Sequence, residues 1–377
     1  MVTDQHFDSI RPYRDHEIHR VIEELMKENS FVELLKYLFP HIPIKDFIDK
    51  LLQVKSVHEF QIGTIYPYIK GIIKETTNGV TCEGLDQLDP QKSYIFISNH
   101  RDIVLDSAFL NILLHENGFD TTEIAIGDNL LIYPWITQLV KLNKSFIVRR
   151  NLPARQMLQS SKLLSEYIRH NITERKQSVW IAQREGRSKD GDDRTQTSLL
   201  KMINMSGNGS FSENFKELHI VPLSISYEYD PCDYLKAHEF LLKKGNPEYK
   251  KSQADDLKHM ASGIKGRKGR VHFKAGTPIN AELEGLDKVD KNEQLNQLAG
   301  LIDDQIHNNY KLWPGNFIAS DILNKNNHFA HKYTQDDMKI FDEYIKDHLS
   351  RIDADKDFIY NALMEMYSNP VKNFYKE

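Results

Sequence analysis

An α/β fold, a sheet flanked by helices with helical N- and C-terminal extensions, is what this sequence predicts, on three observations. Six short apolar runs of strand character fall between residues 80 and 280, helix-length segments separate them, and both ends of the 377-residue chain switch to helical spacing. Strands alternating with helices predict a layered sheet rather than a bundle. The chain divides accordingly into an N-terminal helical region at 1–79, an α/β region at 80–280 and a C-terminal helical region at 281–377. One enlarged α/β domain with helical additions accommodates that length.

From Arg14 to about Thr76, IHRVIEELM and FVELLKYLF space their apolar residues three and four apart, which is the helical period. SYIFISN, EIAIGD, KSFIVRR, SVWIAQRE, HIVPLSISYE and RVHFKAGTPI are the predicted strands. Between them, DGDDRTQTS and NMSGNGSFSENF are expected to be mobile or substrate-facing loops, because Gly, Ser, Asn and Asp break both periods. Beyond Pro278 the helical spacing returns, broken at Pro314-Gly315 and ending in a charged amphipathic tail from about Thr334.

Hydrophobic residues make up 40% of the chain and charged residues 27%, a globular balance. Its 49 basic and 54 acidic side chains leave a formal charge of -5, so no global field draws nucleic acid or an anionic bilayer, and any anion site must be local. Cys82 and Cys232 stand alone, which argues against a disulfide framework or structural zinc and for a reducing compartment. MVTDQHFDSIRPYRDHEIHR lacks the pattern of a signal peptide, and the expected location is cytoplasmic. The longest mainly apolar window, 124–142, is interrupted by Asp128, Asn129 and Pro134, so it is expected to lie on a membrane surface at most.

The stretch ISNHRDIVLDSAFLN places His100 at the end of a predicted strand, where α/β proteins hold their ligands. An imidazole acts as a base when an acceptor holds its other nitrogen, and Asp102 and Asp106 are the nearby carboxylates. Six helical positions rotate by about 600°, so Asp106 reaches His100 only if the histidine precedes the regular helix. The alternative is that Asn99 or Asp102 caps the helix and His100 fills a polar corner. A kinase catalytic loop, which also contains HRD, is excluded: Ser107 stands where its Asn belongs, and no DFG follows.

Taken in serial order, four blocks and a closing strand resemble the glycerolipid acyltransferase superfamily, which includes bacterial glycerol-3-phosphate and 1-acylglycerol-3-phosphate (lysophosphatidate) O-acyltransferases. They are NHRDIVLD with His100 and Asp106; GDNLLIYPWITQLVKLNKSFIVRR with Gly127, Asn129, Leu130, Arg149 and Arg150; WIAQREGRS with Glu185, Gly186, Arg187 and Ser188; IVPLSISYE with Val221 and Pro222; and FKAGTPI. The resemblance covers roughly residues 80–280 and implies a mixed sheet of the glycerol-phosphate acyltransferase kind. Two spacings depart from the family pattern. His100 and Asp106 have five residues between them instead of four, and the third block lacks the residue between its Gly and Arg.

Residue chemistry agrees with that resemblance. Guanidinium groups at strand ends bind phosphate through paired donors, which makes Arg149, Arg150 and Arg187 the anion candidates, although adjacent Arg149 and Arg150 should face opposite ways. Glu185 is expected to bind a hydroxyl or brace an arginine, Gly186 to allow a tight turn, Ser188 to complete the block and Asn129 to orient the acceptor or cap a turn. Pro222 is expected to shape a strand exit, and Lys189 and Arg194 to sit in a solvated loop.

The implied reaction uses acyl-CoA or acyl carrier protein as co-substrate, with no other cofactor and no metal. The acceptor is glycerol 3-phosphate or a lysophospholipid. His100 would be the base and Asp106 its orienting acid, with backbone donors at the helix start stabilising the oxyanion. LLIYPWI at 130–136 and the N-terminal helices would supply an acyl groove or peripheral contact with the inner face of the cell membrane. Two other classes stay open: an N-acyltransferase of aminolipid synthesis and a non-catalytic lipid-binding protein.

Overall fold

The computed structural model describes residues 4–38 and 42–376. Phe39, the last residue of the run FVELLKYLF, and residues 1–3 of the N-terminal stretch lie outside the described residues. Seven strands form a single mixed sheet: β1 (Thr77–Glu83), β2 (Ile95–Ser98), β3 (Glu123–Gly127), β4 (Ser145–Val148), β5 (Val179–Ala182), β6 (Ile220–Tyr227) and β7 (Gly269–Ala275). Their order across the sheet is β1-β7-β6-β2-β5-β3-β4. The block β6-β2-β5-β3-β4 is parallel throughout, β7 runs antiparallel to β6, and β1 runs parallel to β7.

All six predicted strands are present, and β1 is an addition. TNGVTCE lacks the apolar alternation of a half-buried strand, and every one of its residues is exposed or half-buried because it is an edge. Parallel central strands are covered on both faces, which is why IFIS is buried at every position. Ile95, Ile97, Val179, Ile181 and Phe146 pack one face against Leu164 and Tyr167 of helix Ala154–Thr173 and Leu298 and Ile302 of the helix at 291–308. Phe96, Trp180, Val221, Leu223 and Phe273 pack the other against Leu105 and Phe109 of helix Leu105–Glu116 and Ile69 and Ile72 of helix Tyr66–Thr76.

Helices build both terminal regions, with separate small cores around Ile18, Val21 and Phe60 and around Tyr344, Leu363 and Tyr367. Three expectations need correction. The segment DGDDRTQTS is not a solvated loop: Gly191, Asp193 and Thr195 are buried, and helix Lys356–Tyr375 lies on it, with the Asn369 amide donating to the Asp190 carbonyl at 2.7 Å. The last five residues of NMSGNGSFSENF are helical, within Phe211–Lys216, because Ser210 and Glu213 form a capping box. Pro222 lies near the start of β6 rather than at its exit, where its carbonyl accepts the Gly276 N–H at 2.8 Å.

Candidate active site

The carboxyl ends of the parallel strands share one edge of the sheet, and the order β2-β5-β3-β4 lines up the segments that follow them. His100 follows β2, Glu185 follows β5, Asn129 follows β3 and Arg150 follows β4. Strands stand about 4.8 Å apart, so the His100 and Arg150 ends of this row are separated by roughly 14 Å.

His100 sits in an irregular turn between β2 and helix Leu105–Glu116. Its Nδ1 lies 2.7 Å from Asp106 Oδ2, and its side chain is 13% exposed against 0% for Asp106. The same Asp106 oxygen accepts the backbone N–H groups of Arg101 at 2.6 Å and Asp102 at 3.1 Å. Because the carboxylate can only accept, Nδ1 carries the proton and Nε2 keeps its lone pair free for a substrate proton. Trp180 lies edge-on to the imidazole at 5.5 Å between centroids, and its indole N–H is held by the Ser98 hydroxyl at 3.0 Å.

Asp102 closes the turn that leads into the helix. Its Oδ1 accepts the N–H groups of Val104 at 2.9 Å and Leu105 at 2.8 Å. Burial, then the neighbouring Asp106 charge, raises its carboxyl above the ordinary value. The backbone donors of residues 101, 102, 104 and 105 are therefore engaged by the two carboxylates, so the helix start does not offer them to an oxyanion as expected. The Tyr227 hydroxyl is buried beside Asp106; burial and then the Asp106 charge hold that phenol well above its ordinary value.

Of the arginine candidates, Arg150 joins the row. Its guanidinium lies over Gly127, where a Cβ would meet Arg150 Cζ at 2.8 Å and Asn129 Oδ1 at 2.6 Å, and it pairs with Glu185 at 3.1 Å. Arg149 is exposed, one position beyond the end of β4. Gly186 takes φ +71°, the left-handed conformation a tight turn needs. Arg187 and Ser188 point inward. Arg187 is 7% exposed and donates to His259 Nδ1 at 2.7 Å; burial, then the arginine charge, pushes His259 down to about 2. The Ser188 N–H donates to the His100 carbonyl at 3.0 Å and its hydroxyl accepts from Gly191 at 3.1 Å, so it braces the turn. Lys189 pairs with Glu239, and Arg194 is exposed, bonded to Asp192 and Asn373.

Sequence reasoning gave no site role to Arg101, Trp180, Asp193 or Tyr227, and named Asn99 only as a possible helix cap. Asn99 is fully buried and bridges to β6 through Ile225, donating to its carbonyl at 2.9 Å and accepting its N–H at 2.8 Å. Only a buried polar residue flanking His100 signalled it. Burial pushes the thiols of both Cys82 and Cys232 up to about 12, so neither is a ready nucleophile. Among the described residues, no group of three His, Cys, Asp or Glu could hold a metal ion, and no helix is long and apolar enough to cross a membrane.

A family model described as Acyltransferase matches residues 79–226, which contain every candidate named from the sequence. Two curated relatives, the dihydroxyacetone phosphate acyltransferases of Bos taurus and Homo sapiens, are 25% and 23% identical over 268 and 275 residues. Each alignment covers 70% of this chain and 37% of the relative, so the chain spans little more than a third of the curated proteins it matches. A crystal structure of the 1-acyl-sn-glycerophosphate acyltransferase of Thermotoga maritima aligns with a TM-score of 0.39 at 10% identity, over 76% of this chain and 91% of that one.

Proposed function

We propose that the chain, whose residues 79–226 match the Acyltransferase family model, is a glycerolipid acyltransferase that moves a fatty acyl group from an acyl thioester, acyl-CoA or acyl carrier protein, to the hydroxyl of a small phosphate-bearing acceptor such as glycerol 3-phosphate or lysophosphatidate. The observation that carries this reading is the His100–Asp106 pair at 2.7 Å, on the strand-end row that finishes at Arg150. The acceptor hydroxyl gives its proton to His100 Nε2 as its oxygen attacks the thioester carbonyl. Asp106 keeps Nδ1 protonated and stabilises the imidazolium. Collapse of the tetrahedral adduct breaks the carbon–sulfur bond, and the imidazolium proton passes to the departing thiolate.

Arg150 is proposed to bind the acceptor phosphate, with Glu185 as the carboxylate it exchanges for that ligand and Asn129 beside it. A span of roughly 14 Å between the base and the strand bearing Arg150 is bridged by the arginine's own length and a three-carbon phosphate ester. Dihydroxyacetone phosphate, for which the curated relatives are named, has the same three-carbon build and belongs among the acceptors. Half-buried Leu131, Ile132 and Trp135 and exposed Tyr133 lie beside Asn129, where an acyl chain or a bilayer surface would meet the site.

Purified protein incubated with labelled acyl-CoA or acyl carrier protein and a panel of glycerol 3-phosphate, dihydroxyacetone phosphate, lysophosphatidate and a phosphate-free amine tests this. Ester formation on a phosphate-bearing acceptor is expected, with a loss of at least about a hundredfold in His100→Ala. Transfer to the amine alone, or equal transfer by wild type and His100→Ala, overturns it.

A further inference from the structure

We infer that Tyr310, in the C-terminal region beyond the matched acyltransferase segment, is a positioning residue for the His100 turn, acting through the buried carboxylate of Asp193. Asp193 is fully buried, and one oxygen, Oδ2, accepts from the Asn99 amide at 3.2 Å, the Arg101 guanidinium at 2.6 Å and the Tyr310 hydroxyl. Asn99 and Arg101 are the two residues on either side of His100. A single carboxylate therefore grips the turn before and after the imidazole, and the C-terminal region supplies its third donor.

The link continues to the candidate base by one more step. The Arg101 backbone N–H donates to Asp106 Oδ2 at 2.6 Å, the same oxygen that meets His100 Nδ1 at 2.7 Å. Moving the Arg101 side chain tilts that peptide and changes how the Asp106 oxygen is shared. Behind Asp193, His307 Nε2 lies 2.6 Å from its carbonyl, and Asp303 accepts the Thr195 N–H at 2.8 Å, so the helix at 291–308 fixes the backbone of the carboxylate as well. Burial and the Asp193 charge keep the Tyr310 phenol neutral and donating.

Tyr310→Phe removes one hydroxyl and keeps the ring. Tyr333→Phe is the control: its hydroxyl donates to Asp321 at 2.8 Å in the same region, away from Asp193. The kinetic arm rests on the acyltransferase reading. There, Tyr310→Phe should lower kcat about tenfold with KM changed less than about twofold, while Tyr333→Phe leaves both unchanged. The second arm does not depend on turnover: the Nδ1 proton resonance of His100, assigned by its loss in His100→Ala, should shift in Tyr310→Phe and stay in place in Tyr333→Phe. If the wild type transfers no acyl group to any acceptor, the proposed reaction fails while the resonance still decides the positioning role. An unmoved His100 resonance in Tyr310→Phe, or an equal shift in Tyr333→Phe, overturns the inference.

Discussion

His100 and Asp106 are six positions apart, and along a continuous helix they would diverge by roughly 120°. They meet because the helix begins only at Leu105, which leaves His100 free to fold back on Asp106 in the first turn. Asp106→Asn should lower turnover by about 10²- to 10⁴-fold, because an amide can present a donor to Nδ1 and favour the wrong tautomer; steady-state kinetics beside a thermal melt would separate this from misfolding. Asp102→Ala loses the acceptor of the Val104 and Leu105 N–H groups, an expected cost of about 1 kcal/mol or more in denaturant unfolding. At the other end of the row, Arg150→Ala should raise the acceptor KM by about tenfold or more, with little effect of Arg149→Ala. His259 adds a pH dependence. It stays neutral when folded down to about pH 2, against an ordinary 6.5, so the unfolded chain binds a proton there first. Its contribution is full above pH 6.5 and is lost progressively as pH falls from there towards 2. His259→Asn keeps an acceptor for Arg187 and does not titrate, so its melting temperature should fall less steeply than wild type below pH 6.5.

Elements differ in how much of themselves they carry in sequence. Strands β2 and β5 are short apolar runs in a doubly covered sheet, and their side chains alone define them. Helix Leu105–Glu116 is buried on nearly every side, so it presents no amphipathic stripe, and only its length and flanking polar residues announce it. By contrast, the segment 188–196 has the composition of a surface loop, yet Ser188, Gly191, Asp193 and Thr195 are buried in it, with a helix more than 160 residues away lying over it. Gly191 records that contact: its φ is +74°, and a Cβ there would meet the Met366 carbonyl oxygen at 2.2 Å. Gly191→Ala is therefore strained by both backbone and contact, and a loss of about 2 kcal/mol or more, read as a lowered denaturation midpoint, is expected.

Across the whole molecule, the terminal helices are parts of one body rather than attachments. Arg14 of the N-terminal region reaches buried Glu123 at the start of β3 at 3.4 Å, where Arg175 joins it at 2.7 Å. On the opposite side, Tyr344 and Tyr367 of the C-terminal helices bond Asp233 at 3.0 and 2.8 Å, and Lys236 of the same helix, Asp233–Gly245, donates to the Arg101 carbonyl at 3.0 Å. Such interlocking predicts a single cooperative transition. Far-UV and near-UV circular dichroism should give coincident melts, and an earlier separate melt of the C-terminal helices would contradict the arrangement.

By itself the sequence determined the alternation of strands and helices, six of the seven strands and the serial blocks with His100 and Arg150, because side-chain period and local motif chemistry are written over a few neighbouring residues. Tertiary structure brought Asp106, the partner the motif favoured, to the imidazole, and it alone decided that Arg187 turns inward to His259 while Arg150 stays in the row, and that Asp193 ties Tyr310 to Asn99 and Arg101. Those outcomes depend on contacts between residues six to more than a hundred positions apart. Burial set by the fold, not residue type, fixes whether a charged side chain meets solvent or another part of the chain.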